Sequence, residues 1–155
     1  MLHRIPGRPR SPQEALQRLI EGNARFVRRE PIHGKVSEEA FANLRESQRP
    51  FAAILGCSDS RVPPELVFDQ GFGDFFVIRL AGNVMEPSVF GSIQYAHLHL
   101  GTSLLVVLGH EGCGAVKAAL ATKFKKVKHP ERIGCNHRGI VDYAATRAGT
   151  SFEPR

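Results

Sequence analysis

A layered α/β fold, with a mostly parallel central sheet between helices and a helical arm at the N-terminus, is predicted by three features of the chain. Three short apolar runs, FAAIL (51–55), FFVIRL (75–80) and LLVVL (104–108), are uninterrupted in the manner of strands covered on both faces. Segments with helical spacing separate them, and alternating strands and helices build a parallel sheet. With 155 residues, 42% of them hydrophobic, the chain has the size of one domain with a single core.

Each element has a local cause. Ser11-Pro12-Gln13-Glu14 reads as a capping box with proline at the first helical position, and Leu16, Leu19, Ile20 and Val27 follow at helical spacing, which predicts a helix over 12–28. After the break EPIHGK, Ser37 can cap a second helix to about Arg45, with Phe41 and Leu44 on its apolar side. PPELVF is long enough for a short helix between the first two strands. PSVFGSIQYAHLHL, which opens with Pro87 and runs up to Gly101, predicts a longer one between the last two. Another helix begins near Ala115. Residues 121–155 contain no apolar run of four and no clean alternation, so a divergent, irregular tail is expected after a domain at 1–120, whose residues 1–10 form a flexible basic N-terminus.

The formal net charge of +6 sits mainly in HRIPGRPR and KFKKVKHPER. Neither stretch has the interleaved aromatics of a single-strand platform, so solvated basic ends are expected and nucleic acid is not. No apolar run approaches the ~20 residues of a membrane span, and MLHRIPGRPRSPQ lacks the apolar stretch of a secretory signal. A soluble, cytoplasmic protein is expected. Three cysteines at unequal spacing point to free thiols, metal ligands or a nucleophile rather than a disulfide framework.

Chemistry concentrates at two strand ends. AAILGCSDSRVPPEL runs a buried strand into Cys57, Asp59 and Arg61, where a plain turn would be served by Gly, Asn or Pro. The third strand runs into GHEGCGA, which carries His110 and Cys113. If the second and third strands lie on opposite sides of the first, the first and third flank a topological switch point, and a crevice opens beyond their carboxyl ends. Two thiols and an imidazole converging there are ligands that Zn²⁺ prefers, and three of them leave one position open. Two thiolates neutralise the ion, so Asp59 either takes the open position or is held by Arg61 in a bidentate pair. In the second state water can occupy the metal, and zinc brings its ionisation toward neutral pH.

In motif, order and spacing, CSDSRVP, GDFFVIRLAGNV and SIQYAHLHLGTSLLVVLGHEGCGAVKAA resemble the β-class carbonic anhydrases, and EALQRLIEGNARFV resembles that family's N-terminal helix, so the resemblance covers about residues 11–120. It implies one zinc per chain on Cys57, His110 and Cys113, with Asp59 and Arg61 as the catalytic dyad. Asp59 is a metal ligand in one state; in the other it accepts a hydrogen bond from the zinc-bound hydroxide that attacks carbon dioxide to give bicarbonate. It also implies a homodimer or higher homo-oligomer with the N-terminal helices at the interface, and a substrate pocket drawn from Gln70, Gly82, Asn83 and Gly112. The chain departs from the family at Leu80, where many members carry Asn, and at Gln70, one place from a substrate-contacting Gln. The family's fourth and fifth strands have no counterpart in 121–155, so an exposed sheet edge, association through it and reduced activity are expected, with recovery on grafting the missing segment after about Ala119.

Other readings are weaker. A catalytically impaired zinc-binding relic of the same fold would keep the ligands. A cysteine-nucleophile hydrolase could use Cys57 or Cys113 with His110 as base, but a Cys-x5-Arg phosphatase loop needs Arg where the chain has Pro63. An iron–sulfur centre normally wants four cysteines, and Cys135 would have to join from the tail. GHEGCGAV lacks the Lys-Ser/Thr of a phosphate-binding loop. His97 and His99 point to different helix faces and read as surface or interface residues rather than a metal pair, and Cys135 with His137 reads as incidental.

Overall fold

The computed structural model describes residues 7–33 and 38–127. The basic stretch before residue 7, the Ser37 cap, Cys135 with His137 and the tail beyond residue 127 lie outside the described residues. In chain order the described elements are α1 (Pro12–Arg28), α2 (Glu38–Glu46), β1 (Ala52–Cys57), α3 (Pro64–Val67), β2 (Phe75–Leu80), α4 (Pro87–Leu98), β3 (Leu105–Leu108) and α5 (Gly114–Lys125). The last helix continues through the expected boundary at residue 120.

The strands form one parallel sheet in the order β2-β1-β3. Register pairs Ala52 with Phe75 through Cys57 with Leu80 on one side, and Ala53 with Leu105 through Gly56 with Leu108 on the other. Every residue of β1 is buried. Successive strand side chains point to opposite faces, so both faces of β1 are covered. On one face Ala52 and Ile54 pack with Ala15 and Leu19 of α1, joined by Phe75, Val106 and Leu108. On the other, Phe76 meets Tyr95 of α4 with ring centroids 5.9 Å apart. Fully burying a side chain such as Ile54 or Leu19 stabilises by about 1.5–3 kcal/mol.

One expectation needs correction. β3 is not covered on both faces among the described residues: Leu105 and Val107 are 44% and 58% exposed, while Val106 and Leu108 face the core. An apolar strand sequence records suitability for burial, whereas coverage depends on which neighbours reach it. In α1, the stripe of Leu16, Ile20 and Val27 faces outward and Ala15, Leu19 and Gly22 face the sheet. The cause is close approach at Gly22, where a Cβ would overlap the carbonyl oxygen of Phe68 at the end of α3.

Side-chain contacts secure that seat. Ser11 Oγ accepts the Glu14 N–H at 3.1 Å as expected of a cap, while the Glu14 carboxylate reaches one residue further back, to the Arg10 N–H at 2.7 Å. Asn23 Nδ2 donates to Val67 O at 2.9 Å. Asp69, buried and left-handed at φ 43°, accepts from Arg25 Nε and from the Ile32 and His33 N–H groups. Burial pushes its carboxyl up, but Arg25 and those two N–H donors together hold it below the ordinary value. Gly22→Ala should therefore lower the melting temperature. The backbone obstruction costs about 1–3 kcal/mol or more, and being pinned beside the Asn23 contact it outweighs the gain in helix propensity of at most about 1 kcal/mol. Thermal unfolding followed by circular dichroism checks this; an unchanged or raised melting temperature would mean that α1 does not sit on Phe68.

Candidate metal centre

Cys57 is the last residue of β1, His110 lies in the turn after β3, and Cys113 is the residue that precedes α5. Since Gly56 pairs with Leu108, the two chain segments leave the sheet side by side. The turn between His110 and Cys113 contains Gly112 at φ 66°, a left-handed position that suits glycine. The ligand atoms of Cys57, His110 and Cys113 all lie within 4.8 Å of one another, and the two sulfurs are 3.8 Å apart. Two sulfurs each about 2.3 Å from one tetrahedral ion would be separated by about 3.8 Å. Among the described residues this is the group of three such donors that could hold a metal ion.

The environment of each donor fits that role. His110 Nδ1 lies 3.1 Å from Glu111 O, which favours a proton on Nδ1 and leaves the Nε2 lone pair free. Nε2 is buried and has no hydrogen-bond partner, which costs free energy unless something else accepts that lone pair. A metal does so. Cys57 Sγ accepts the Gly82 N–H at 3.3 Å. Burial pushes the Cys57 thiol up, yet hydrogen bonds from the backbone of Gly82 and Asp59, together with the nearby His110 and Cys113 side chains, bring it down to about 7, which favours the thiolate that ligates.

Asp59 and Arg61 form the expected bidentate pair: Nε to Oδ1 at 2.8 Å and Nη2 to Oδ2 at 2.7 Å, with the Arg61 N–H also on Oδ1 at 3.0 Å. The Arg61 side-chain and backbone hydrogen bonds hold the Asp59 carboxyl far below the usual carboxylate range, and Asp59 in turn raises Arg61. Asp59 Oδ2 stands 3.8 Å from His110 Nε2, so the pair borders the three donors.

Other sequence candidates lie variously. Gly82, at φ 78°, touches Cys57 as described, and Asn83 follows it at φ 44°. Gln70 is buried elsewhere: its oxygen accepts from Arg18 Nε at 2.7 Å, and its nitrogen donates to Phe68 O at 2.7 Å and Asp69 O at 2.9 Å. His97 Nδ1 meets Thr102 O at 3.0 Å and His99 stacks on Tyr95, so neither joins the cluster. Sequence reasoning missed Arg79. Its Nε donates to Cys57 O at 2.8 Å and its Nη2 to Asp59 O at 2.6 Å. The available signal was a single charged residue inside the apolar run FFVIRL.

Comparison with known proteins gives the family and the fold. The family model for carbonic anhydrase matches residues 52–148. The carbonic anhydrase of Mycolicibacterium smegmatis is 51% identical over 111 residues, which are 72% of this chain and 54% of that protein. Carbonic anhydrase 2 of Mycobacterium tuberculosis is 52% identical over 111 residues, with the same two shares. The chain therefore spans about half the length of the curated relatives it matches. The solved structure of the β-carbonic anhydrase CcaA is similar at a TM-score of 0.62 and 32% identity, over 86% of this chain and 64% of that one.

A three-donor site implies about one divalent ion per chain after dialysis against trace metal. Cys57→Ser combined with His110→Ala should abolish retention, read by elemental analysis. Retention equal to the parent would move the metal to other residues.

Proposed function

Because the chain belongs to the β-class carbonic anhydrase family, we propose that it hydrates carbon dioxide reversibly to bicarbonate, using one zinc held by Cys57, His110 and Cys113. The observation that carries this reading is the meeting of two thiols and an unpartnered, buried imidazole nitrogen within 4.8 Å, while Asp59 is drawn toward Arg61. Bound zinc supplies the Lewis acidity that ionises water near neutral pH.

The chain's own groups do the rest. Cys57 and Cys113 bring two negative charges and His110 a neutral nitrogen, which leaves one ligand position open. Arg61 holds both oxygens of Asp59 and so keeps that position clear. Asp59 stays ionised and can accept a hydrogen bond from the reacting water, which orients it toward carbon dioxide. Released from Arg61, the same carboxylate borders the donors and could close the open position. Gly82 and Gly112 form walls of the proposed pocket with Asn83 beside them, and Gln70 is left out because both ends of its amide are engaged elsewhere.

The proposed working form is a homodimer or higher homo-oligomer. Leu16, Ile20 and Val27 form an exposed apolar stripe on α1, which favours a covered surface. No helix among the described residues is long and apolar enough to cross a membrane. A reducing cytoplasmic location is part of the proposal and suits the free thiols of Cys57 and Cys113. A cysteine nucleophile is disfavoured because Cys57 and Cys113 are only 3% and 8% exposed.

Stopped-flow measurement of carbon dioxide hydration on the zinc-loaded chain tests the proposal. Hydration well above the buffer rate is expected, with a loss of about 10–100-fold in Arg61→Ala and zinc content unchanged. A zinc-loaded parent with no hydration would leave the impaired zinc-binding relic as the better reading. Full activity in Arg61→Ala would remove Arg61 from the mechanism.

A further inference from the structure

Arg79 stands in β2 opposite Gly56, one residue before the partner of Cys57. Its guanidinium grips two carbonyls that lie two residues apart on the neighbouring chain, Cys57 O and Asp59 O. Between them, the Ser58 N–H donates to Leu80 O at 3.1 Å. Ordinary strand pairing thus ends at Cys57, and the next two residues are held against β2 by Arg79 and Leu80. Beyond them Asp59 O also accepts the Val62 N–H at 3.2 Å, closing the turn that contains Arg61.

Such a grip requires this side chain. Arginine presents several N–H donors in a rigid plane and stays charged at any relevant pH, whereas lysine is a flexible point charge. A carboxylate partner would neutralise the guanidinium, but among the described residues its hydrogen bonds go to the two carbonyls. One arm therefore holds a residue whose sulfur belongs to the three-donor group, and the other holds the residue whose carboxylate pairs with Arg61 and borders that group.

We infer that Arg79 is a positioning residue of the metal centre, fixing the spacing of Cys57 and Asp59 so that the carboxylate can reach either Arg61 or the open ligand position. It touches neither metal nor substrate. Its effect on hydration rests on the function proposed above; its effect on the metal's surroundings rests on the Cys57, His110 and Cys113 ligand set alone.

The test compares Arg79→Met, which keeps length and loses the donors, with Arg79→Lys, which keeps the charge and cannot bridge both carbonyls in the same plane. Each is loaded with zinc for kinetics and with cobalt(II) for visible absorption. Arg79→Met should change the cobalt spectrum and lower kcat or metal affinity about 10–100-fold, the usual scale for residues that orient ligands, with KM nearly unchanged. Arg79→Lys should recover part of both signals. A lowered melting temperature with parental cobalt spectrum, metal affinity and kcat would reduce Arg79 to a fold-stabilising residue and overturn the inference. Should Arg79→Met fail to fold, Arg79→Lys decides: an altered spectrum supports the two-carbonyl grip, and parental spectrum and kcat contradict it. If the parent itself shows no hydration, the proposed function fails while the cobalt spectra still judge Arg79.

Discussion

The site depends on one constraint above the others, the parallel pairing of β1 with β3 in the register that sets Gly56 beside Leu108. Cys57 follows the first of these residues, and His110 comes two residues after the second. Because β2 lies on the far side of β1, the chain crosses over before forming β3, and the carboxyl ends of β1 and β3 lie side by side at the switch point. A register slip of one residue would turn Cys57 to the opposite face of the sheet and separate it from His110. The buried strand β1 guards against such a slip, since every side chain on it is packed.

Electrostatics then refines what topology has assembled. The Asp59 carboxylate brings negative charge to the strand ends beside the two sulfurs, and Arg61 and Arg79 bind the Asp59 residue from different directions. Arg61, its side chain 65% exposed, reaches in from the surface to the carboxylate itself. Arg79 works from the neighbouring strand through backbone carbonyls. One cation therefore controls where the Asp59 side chain points, while the other controls where its backbone sits.

Much of this was legible in the sequence because the signals were local or strongly ordered. Three apolar runs separated by capped helices predict the strands, and Cys-x-Asp-x-Arg followed by His-x-x-Cys singles out the donors and their paired ions. What escaped depends on partners that a side-chain pattern does not display. Arg79 binds carbonyls, which every residue possesses, so nothing in the pattern marks its targets. The outward stripe of α1 is as apolar as the inward one, and only the missing side chain at Gly22 decides which can approach Phe68. Gln70 has the right chemistry for a pocket, yet Arg18 and two carbonyls hold it beneath α1. The coverage of β3 depends on neighbours in space, of which its own apolar sequence carries no record.

The central claim is that three residues from two strand ends share one zinc. X-ray absorption at the zinc edge of the loaded protein tests it most directly. The account predicts two sulfurs near about 2.3 Å, one imidazole nitrogen near about 2.0–2.1 Å and a single further light atom. A coordination sphere with one sulfur or none, or with no imidazole, would contradict it, because Cys57, His110 and Cys113 could not then all be ligands.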